Sequence, residues 1–328
     1  MMGAPPLLLG VDLGGTNCRM ALVEPEGQTF QEERMPTEAS SGRTVFLQRV
    51  EGLCHEMIRR AGEMDRAVVA IGVGAPGVIS ADGVIEISPN LPQLNGLSFA
   101  EHLQAVLNLP ALVMNDANAI AVGEAQLGAG RQFSSSLTMT LGTGVGGGLV
   151  LNGRLWEGAD GAAGEVGHIM VEPEGRPCGC GSRGCLEQYS SATGLVLNAL
   201  EAIDRGVPSR FSSAEISQLT SQNVAAAARQ GDAAALAAFA EGGRRLGQAL
   251  AAVANLLNID GVIITGGASA SLDLMRPSLD AELKIRGFAI PVRRLTIVQG
   301  ILQDQAGMIG AARMAWDRLL HSGNAGGI

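Results

Sequence analysis

Apolar and polar positions fall in blocks along the chain, and these blocks predict strands and helices in alternation. Leu7 to Asp12 is a short apolar run that predicts a buried strand. Gly14-Gly15-Thr16-Asn17 predicts a turn, Arg19 to Val23 the returning strand, and Pro25-Glu26-Gly27 the next turn. Over 43–63 the apolar residues Val45, Phe46, Val50, Leu53, Met57 and Ile58 recur at helix spacing. Further strands are predicted at Ala67 to Val73, Ala111 to Met114, Ser136 to Leu141, Leu149 to Leu151 and Gly261 to Thr265. Helices are predicted at 98–107, after Asn115-Asp116-Ala117-Asn118, and at 305–320. Another covers 224–257, with interruptions near Gly231-Asp232 and Gly242-Gly243. Strands that alternate with helices indicate an α/β architecture. Segment 203–223 carries no readable pattern.

The pattern repeats once. LGVDLGGTNCRMALV (9–23) and LTMTLGTGVGGGLVL (137–151) both read apolar strand, Gly-rich turn, apolar strand, with Asp12 opposite Thr140. This suggests two related halves, each opening with a Gly-turned hairpin. The alternative is that any two such hairpins look alike.

Composition narrows the class. The 328 residues suffice for two domains, and 46 % hydrophobic against 17 % charged residues is a globular composition. The 46 glycines point to tight turns and backbone-lined sites. The net charge of −9 and the lack of a basic stripe argue against nucleic acid as a partner. Neither a secretory signal nor a run of about 18 apolar residues is apparent, so a cytoplasmic location without membrane contact is expected. Three of the five cysteines lie within eight residues, a spacing suited to metal and not to a disulfide framework.

Five motifs carry candidate chemistry. Asp12-Leu13-Gly14-Gly15-Thr16-Asn17 places a carboxylate at a strand end before a turn whose backbone N–H groups can face phosphate. Asp12 suits Mg²⁺, which prefers oxygen ligands. The motif is neither a Walker A loop nor a dinucleotide fingerprint, and an ordinary hairpin turn is the alternative. Gly142, Thr143, Gly144, Val145, Gly146, Gly147 and Gly148 form a second candidate phosphate turn, with a flexible linker as the alternative. Asn115 and Asp116 follow a buried strand, where α/β proteins place ligand sites. Asp116 suits the acceptor of a hydroxyl proton in phosphoryl transfer, or only a helix cap. Asn115 both donates and accepts, which suits a sugar hydroxyl.

The fourth motif is the most specific. Glu165-Val166-Gly167-His168 precedes Cys178-Gly179-Cys180, Cys185 and Glu187. His168, Cys178, Cys180 and Cys185 compose a closed Cys3His set for a structural Zn²⁺, with redox or free cysteines as the alternative. Glu165 and Glu187 flank it, and His168 can serve zinc with one nitrogen and a further partner with the other. Fifth, a strand ending at Gly266-Gly267 allows backbone to lie flat against a planar base such as adenine, or simply opens a helix. Cys18 and Cys54 read as packed core thiols, and His55, His102 and His321 as helix-face or surface residues.

In this order the two Gly-turned hairpins, N-D-A-N, E-x-G-H and C-x-C-G-x-x-G-C-x-E resemble a ROK-family sugar kinase, most like a bacterial glucokinase, over about Leu7 to Leu320. The resemblance implies an actin-like ATPase (duplicated ribonuclease H-like) fold of two domains with a cleft. The expected division is 1–116 with the helix 305–320 against 117–304. It implies Asp116 as catalytic base, and Asn90, Asn115, Glu165, His168 and Glu187 as sugar contacts. Asp12, Gly14, Gly15, Thr16, Asn17, Gly142, Thr143, Gly144, Gly146, Gly147, Gly266 and Gly267 would bind ATP with Mg²⁺. The four metal residues would hold structural zinc. The expected reaction is phosphorylation of glucose at the 6-hydroxyl. N-acetylmannosamine, N-acetylglucosamine, mannose and fructose are alternative substrates. A non-catalytic sugar sensor is the rival from another class. The family's repressors carry a helix-turn-helix ahead of the kinase-like part, for which no room is expected before the strand near residue 7. A homodimer or homotetramer is implied.

Overall fold

The computed structural model describes residues 4–324. The chain opens with strands β1 (Leu7–Leu13), β2 (Asn17–Val23) and β3 (Thr29–Pro36), then helix α1 (Arg43–Glu63) and strand β4 (Val68–Ala75). Short strands β5 (Val78–Ile79), β6 (Val84–Ile87) and β7 (Leu97–Ser98) lead to α2 (Phe99–Leu107), β8 (Ala111–Asn115) and α3 (Asp116–Leu127). A second series runs β9 (Ser136–Leu141), β10 (Val145–Leu151), β11 (Arg154–Trp156), α4 (Glu187–Ser190), α5 (Ala192–Asp204), α6 (Ser213–Ile216), α7 (Ser221–Arg229) and α8 (Ala233–Leu257). It closes with β12 (Gly261–Thr265), α9 (Leu272–Arg286), α10 (Ala289–Arg294), β13 (Thr296–Gln299) and α11 (Ala306–Asn324). Two compact units result. The first comprises residues 1–132, 148–164 and 301–328, and the second 133–147 and 165–300.

The first unit is built on the sheet β3-β2-β1-β4-β8. Strands β1, β4 and β8 are parallel, β2 runs antiparallel to β1, and β3 antiparallel to β2. The period of two along β1 sorts its side chains. Leu7, Leu9, Val11 and Leu13 join a core with Phe46, Val50 and Met57 of α1 and Phe99 of α2. Leu8 faces the other way, onto Met308, Ile309 and Ala312 of α11. Between them Gly10 and Gly72 let α11 lie directly on the sheet. A Cβ at Gly10 would stand 2.2 Å from the Met308 carbonyl oxygen, and one at Gly72 1.8 Å from that of Ala311. Each fully buried large side chain here contributes about 1.5–3 kcal/mol of apolar burial. Glu124, fully buried in α3, accepts backbone N–H bonds from Ala129 (2.9 Å), Leu302 (2.9 Å) and Ile301 (3.3 Å). This replaces the hydration its carboxylate loses.

In the second unit β12 lies parallel to both β9 and β13. Helix α8 packs against α5 and α9. The predicted break at Gly231-Asp232 is present, because Asp232 caps α8 by accepting from the Ala235 N–H at 2.9 Å. The predicted interruption at Gly242-Gly243 is not, since α8 runs unbroken through both. Those glycines serve close helix packing instead: a Cβ at Gly243 would lie 2.2 Å from the Met275 carbonyl oxygen on α9. The second glycine-rich stretch also differs from expectation. Only residues 142–144 turn, and β10 already begins at Val145. Gly148 sits inside that strand, where a Cβ would lie 2.5 Å from that of Ala121. The chain thus carries two Gly-turned hairpins, each followed in its sheet by parallel strands, the duplication of an actin-like ATPase fold.

Candidate functional site

In the first unit the candidate residues gather at the carboxyl ends of β1, β4 and β8. Asp12 pairs in register with Gly74, and Ala75 with Asn115. Burial pushes the Asp12 carboxyl up to about 6, helped by the Asp116 and Asp304 charges and opposed by Arg19. Arg19 stands opposite Asp12 in the β1–β2 ladder and forms an ion pair with Asp304 at 3.0 Å. A half-buried carboxylate so disfavoured as an anion is suited to a cation. The turn after it is held from below by Thr37, a fully buried residue that the sequence reading did not single out. Its hydroxyl donates to the Gly14 carbonyl at 2.7 Å, and its N–H donates to that of Thr16 at 2.8 Å. Gly14 N–H closes the turn on the Asn17 carbonyl at 2.9 Å.

Asn115 is the N-cap of α3. Its amide oxygen accepts from Asn118 N–H at 3.1 Å, and its amide nitrogen donates to the Gly77 carbonyl at 2.9 Å. Asp116 is therefore the first residue of the helix, and one of its oxygens accepts its neighbour's N–H, that of Ala117, at 2.8 Å. Asn90 is exposed, and Gly15 approaches it so closely that a Cβ would lie 3.2 Å from the Asn90 Cβ. The first turn and the loop of Asn90 are thus adjacent.

In the second unit His168, Cys178, Cys180 and Cys185 each offer one ligand atom, and these atoms all lie within 4.8 Å of one another. Cys180 Sγ stands 3.7 Å from Cys185 Sγ, and Cys178 Sγ stands 3.7 Å from His168 Nδ1. A zinc tetrahedron with Zn–S of about 2.3 Å has edges of about 3.8 Å, so the donor set and its spacing fit that ion. The loop reaches this spacing because Gly181 and Gly184 take φ of +91° and +68°. Nε2 of His168 points the other way, 3.8 Å from Glu165. Glu187 lies between the metal loop and the second hairpin turn. Its Oε1 is 3.9 Å from Cys178 Sγ, and its Oε2 accepts the Val145 N–H at 3.0 Å.

Three further residues brace this loop, and the sequence reading passed over them. Tyr189, the only tyrosine of the chain, is flanked by the guanidinium groups of Arg176 and Arg245, 4.6 and 5.0 Å from its ring centre. Arg245, buried in α8, donates to the Val171 carbonyl at 2.6 Å and pairs with Glu172 and Glu241. The charged cluster Glu241, Arg244 and Arg245 inside an Ala- and Leu-rich helix was the available signal.

The second turn is docked on the start of α5. Ala192 N–H donates to the Gly142 carbonyl at 2.8 Å and Thr193 Oγ1 to that of Thr143 at 3.1 Å. The Gly146 N–H is engaged by Thr140 Oγ1 at 3.2 Å, and Gly147 follows it in β10. Gly266, at φ +87°, ends β12, and a Cβ on Gly267 would meet nothing within 4 Å. Gly267 opens onto a cavity of about 160 Å³, lined also by Leu195, Gln222, Arg229 and Phe239. Helix α7 thus supplies a wall, next to the segment that carried no readable pattern. Cys18 and Cys54 are buried core thiols as expected, and burial pushes Cys54 up to about 12.

A glucokinase from Halalkalibacterium halodurans is 37% identical over 274 residues, 82% of this chain and 83% of its own. The structure of a ROK family glucokinase from Streptomyces griseus, in complex with glucose and AMPPNP, is 32% identical, with a TM-score of 0.76 over 95% of this chain and 99% of that one. A ROK family transcriptional regulator, a homologue of the E. coli MLC protein, is 27% identical with a TM-score of 0.85, over 94% of this chain and 78% of its own. The model of the ROK family matches residues 8–318, nearly the whole chain, and the chain therefore belongs to the ROK family.

Proposed function

We propose that the protein is an ATP-dependent glucokinase, which transfers the γ-phosphoryl group of ATP to the 6-hydroxyl of glucose. The observation that carries this is the placement of two carboxylates beside the first glycine turn. Asp12 lies at the end of β1 and Asp116 directly follows β8, parallel strands with only β4 between them, close enough for the Asp116 charge to help push the Asp12 carboxyl up. One suits a cation and the other a proton. The similarity to glucokinases, one of them with glucose and a nucleotide analogue bound, supports the same reading.

In the first unit Asp116 accepts the 6-hydroxyl proton while that oxygen bonds to the γ-phosphorus and the bond to the ADP oxygen breaks. Asn115 and Asn90 hold sugar hydroxyls. Asp12 with Gly14, Gly15, Thr16 and Asn17 holds phosphate oxygens and Mg²⁺, which supplies charge neutralisation when bound. In the second unit Glu165, His168 and Glu187 orient the sugar. Gly142, Thr143, Gly144, Gly146 and Gly147 border the phosphates, and Gly266-Gly267 with the adjoining cavity take the adenine. His168, Cys178, Cys180 and Cys185 hold a structural zinc that ties the loop together when bound. We place the protein in the cytoplasm as a homodimer or homotetramer that feeds glycolysis. Among the described residues no helix is long and apolar enough to cross a membrane.

The test is coupled ADP release from MgATP with glucose, mannose, fructose, N-acetylglucosamine and N-acetylmannosamine in parallel. Turnover should favour glucose and fall by about 10²–10⁴ in Asp116→Asn, the range of general-base loss. Preference for an acetamido sugar would overturn the substrate. A wild-type rate in Asp116→Asn would overturn the base. The likeness to a transcriptional regulator favours one second reading, a sugar sensor without turnover. Zinc-loaded protein that binds glucose yet phosphorylates none of the five sugars would establish it.

A further inference from the structure

Glu187 joins two features that the proposed function treats separately, the sugar residues around the metal loop and the second glycine turn. Its Oε2 accepts the Val145 N–H at 3.0 Å, the first N–H of β10 after the turn. Its Oε1 lies 3.9 Å from Cys178 Sγ. The turn has yielded space for this. The three atoms nearest a Cβ built on Gly144 all belong to Glu187, with Oε2 at 2.3 Å and Cδ at 3.2 Å. Gly144 is absent from the positive-φ glycines, so its backbone alone does not demand glycine. The missing side chain at 144 is a requirement of the Glu187 carboxylate.

The same stretch of chain is fastened to the turn twice more. Ala192 N–H and Thr193 Oγ1, a few residues past Glu187, donate to the Gly142 and Thr143 carbonyls. Turn and Glu187 segment therefore form one hydrogen-bonded body, and a shift of either must move the other. All of these contacts lie within the second unit.

We infer that Glu187 is a positioning residue for the nucleotide turn as well as a sugar contact, so that occupancy of the sugar residues and the conformation of the turn at 142–145 are energetically coupled. This rests on the glucokinase reading for the identity of the two ligands. Coupling of this kind is reciprocal, because a factor by which sugar raises nucleotide affinity is the factor by which nucleotide raises sugar affinity. It also makes Gly144 a remote determinant of sugar binding.

The experiment is titration calorimetry on the full-length, zinc-loaded protein, with glucose alone and with Mg²⁺–AMPPNP alone. Wild type, Gly144→Ala, Glu187→Ala and Glu187→Gln are compared, each checked by its melting temperature. Gly144→Ala should weaken glucose binding, with no nucleotide present, because the new methyl displaces the carboxylate. Glu187→Ala should weaken AMPPNP binding about tenfold, the scale of one hydrogen bond to a charged acceptor. Glu187→Gln keeps an oxygen for the Val145 N–H, so it should restore AMPPNP affinity towards wild type while glucose affinity stays reduced. A purely structural role would not separate the two Glu187 variants in this way. If Gly144→Ala folds poorly, the Glu187 pair decides alone. Wild-type AMPPNP affinity in Glu187→Ala, in protein that still binds glucose before substitution, overturns the coupling and leaves the kinase reading standing. A wild-type protein that binds neither ligand overturns both.

Discussion

The two Gly-turned hairpins invite comparison, since they share a local pattern and differ in what surrounds them. In β1–β2 the position before the turn is Asp12, half-buried and close to the charges of Asp116, Asp304 and Arg19. In β9–β10 the matching position is Thr140, whose hydroxyl accepts the Gly146 N–H. The first turn is held by a neutral clamp, the Thr37 hydroxyl on the Gly14 carbonyl. The second is held by a carboxylate, Glu187 on the Val145 N–H. One hairpin thus carries a carboxylate of its own and is braced by neutral groups. The other is neutral itself and is braced by a charged group that borders the metal loop. Duplication supplied the scaffold, and the tertiary neighbours divided the chemistry.

The comparison breaks most visibly at Asp12. Its carboxyl titrates near 6 in the fold, above the ordinary 3.8, so the folded state holds the extra proton between these values. Stability is lost as pH rises through that window. Asp12→Asn should therefore lower turnover about 10²–10³-fold, as for loss of a charge-stabilising group. The same substitution should raise stability at pH 7.5 by roughly 1–3 kcal/mol, with little gain at pH 4. Melting curves at both pH values check this, and an equal melting temperature at pH 7.5 would show that the carboxylate is not strained by its surroundings. Under the proposed role of Asp12, wild-type affinity for Mg²⁺ should fall below pH 6, as the proton competes for its carboxylate.

For the zinc-loaded protein proposed above, chelation should sharpen the contrast between the braces. Loss of the Cys3His tie frees Glu165 and Glu187, so glucose binding should weaken by roughly 10–100-fold, the scale of losing a partner around a metal site. Nucleotide binding should weaken less. Hydrogen exchange separates the hairpins directly. The Val145 amide should lose protection on chelation, while the Gly14 amide, bonded to the Asn17 carbonyl, should keep it. Equal loss at both would mean that the metal supports the whole protein and not the second turn.

Smaller effects are expected from the neutral groups. Thr37→Val leaves the part-buried Gly14 carbonyl without its hydroxyl donor and should cost about 1 kcal/mol of stability, with a higher KM for ATP. Thr140→Val should cost about 1 kcal/mol. Its effect should not change between pH 4 and pH 7.5, unlike that of Asp12→Asn. Urea denaturation of the pair provides the measurement.

Much of this was legible in the chain because it is local. Strand period, helix spacing and turn residues located β1, α1, α2, β9 and β12, and the spacing of His168 and three cysteines marked a metal set that the fold brings within 4.8 Å. Glycine was the residue most often misjudged. Gly148 and Gly242-Gly243 looked like turn or break signals, yet they lie inside β10 and α8. A glycine tolerated for its small size and one required for its φ are identical in sequence, and only the neighbour within 3 Å tells them apart.

What the sequence determined by itself was therefore the set of elements and the reactive groups each one carries, since propensity and period act over a few residues. The tertiary structure alone decided who faces whom. It put the Thr37 hydroxyl under the Gly14 carbonyl, raised Asp12 by burial beside Asp116, brought two arginines from different segments onto the Tyr189 ring, and laid Glu187 against Gly144. Each of these joins residues that are far apart in the chain, and burial, charge and hydrogen bonding between them depend on distance in space, which one-dimensional spacing does not encode.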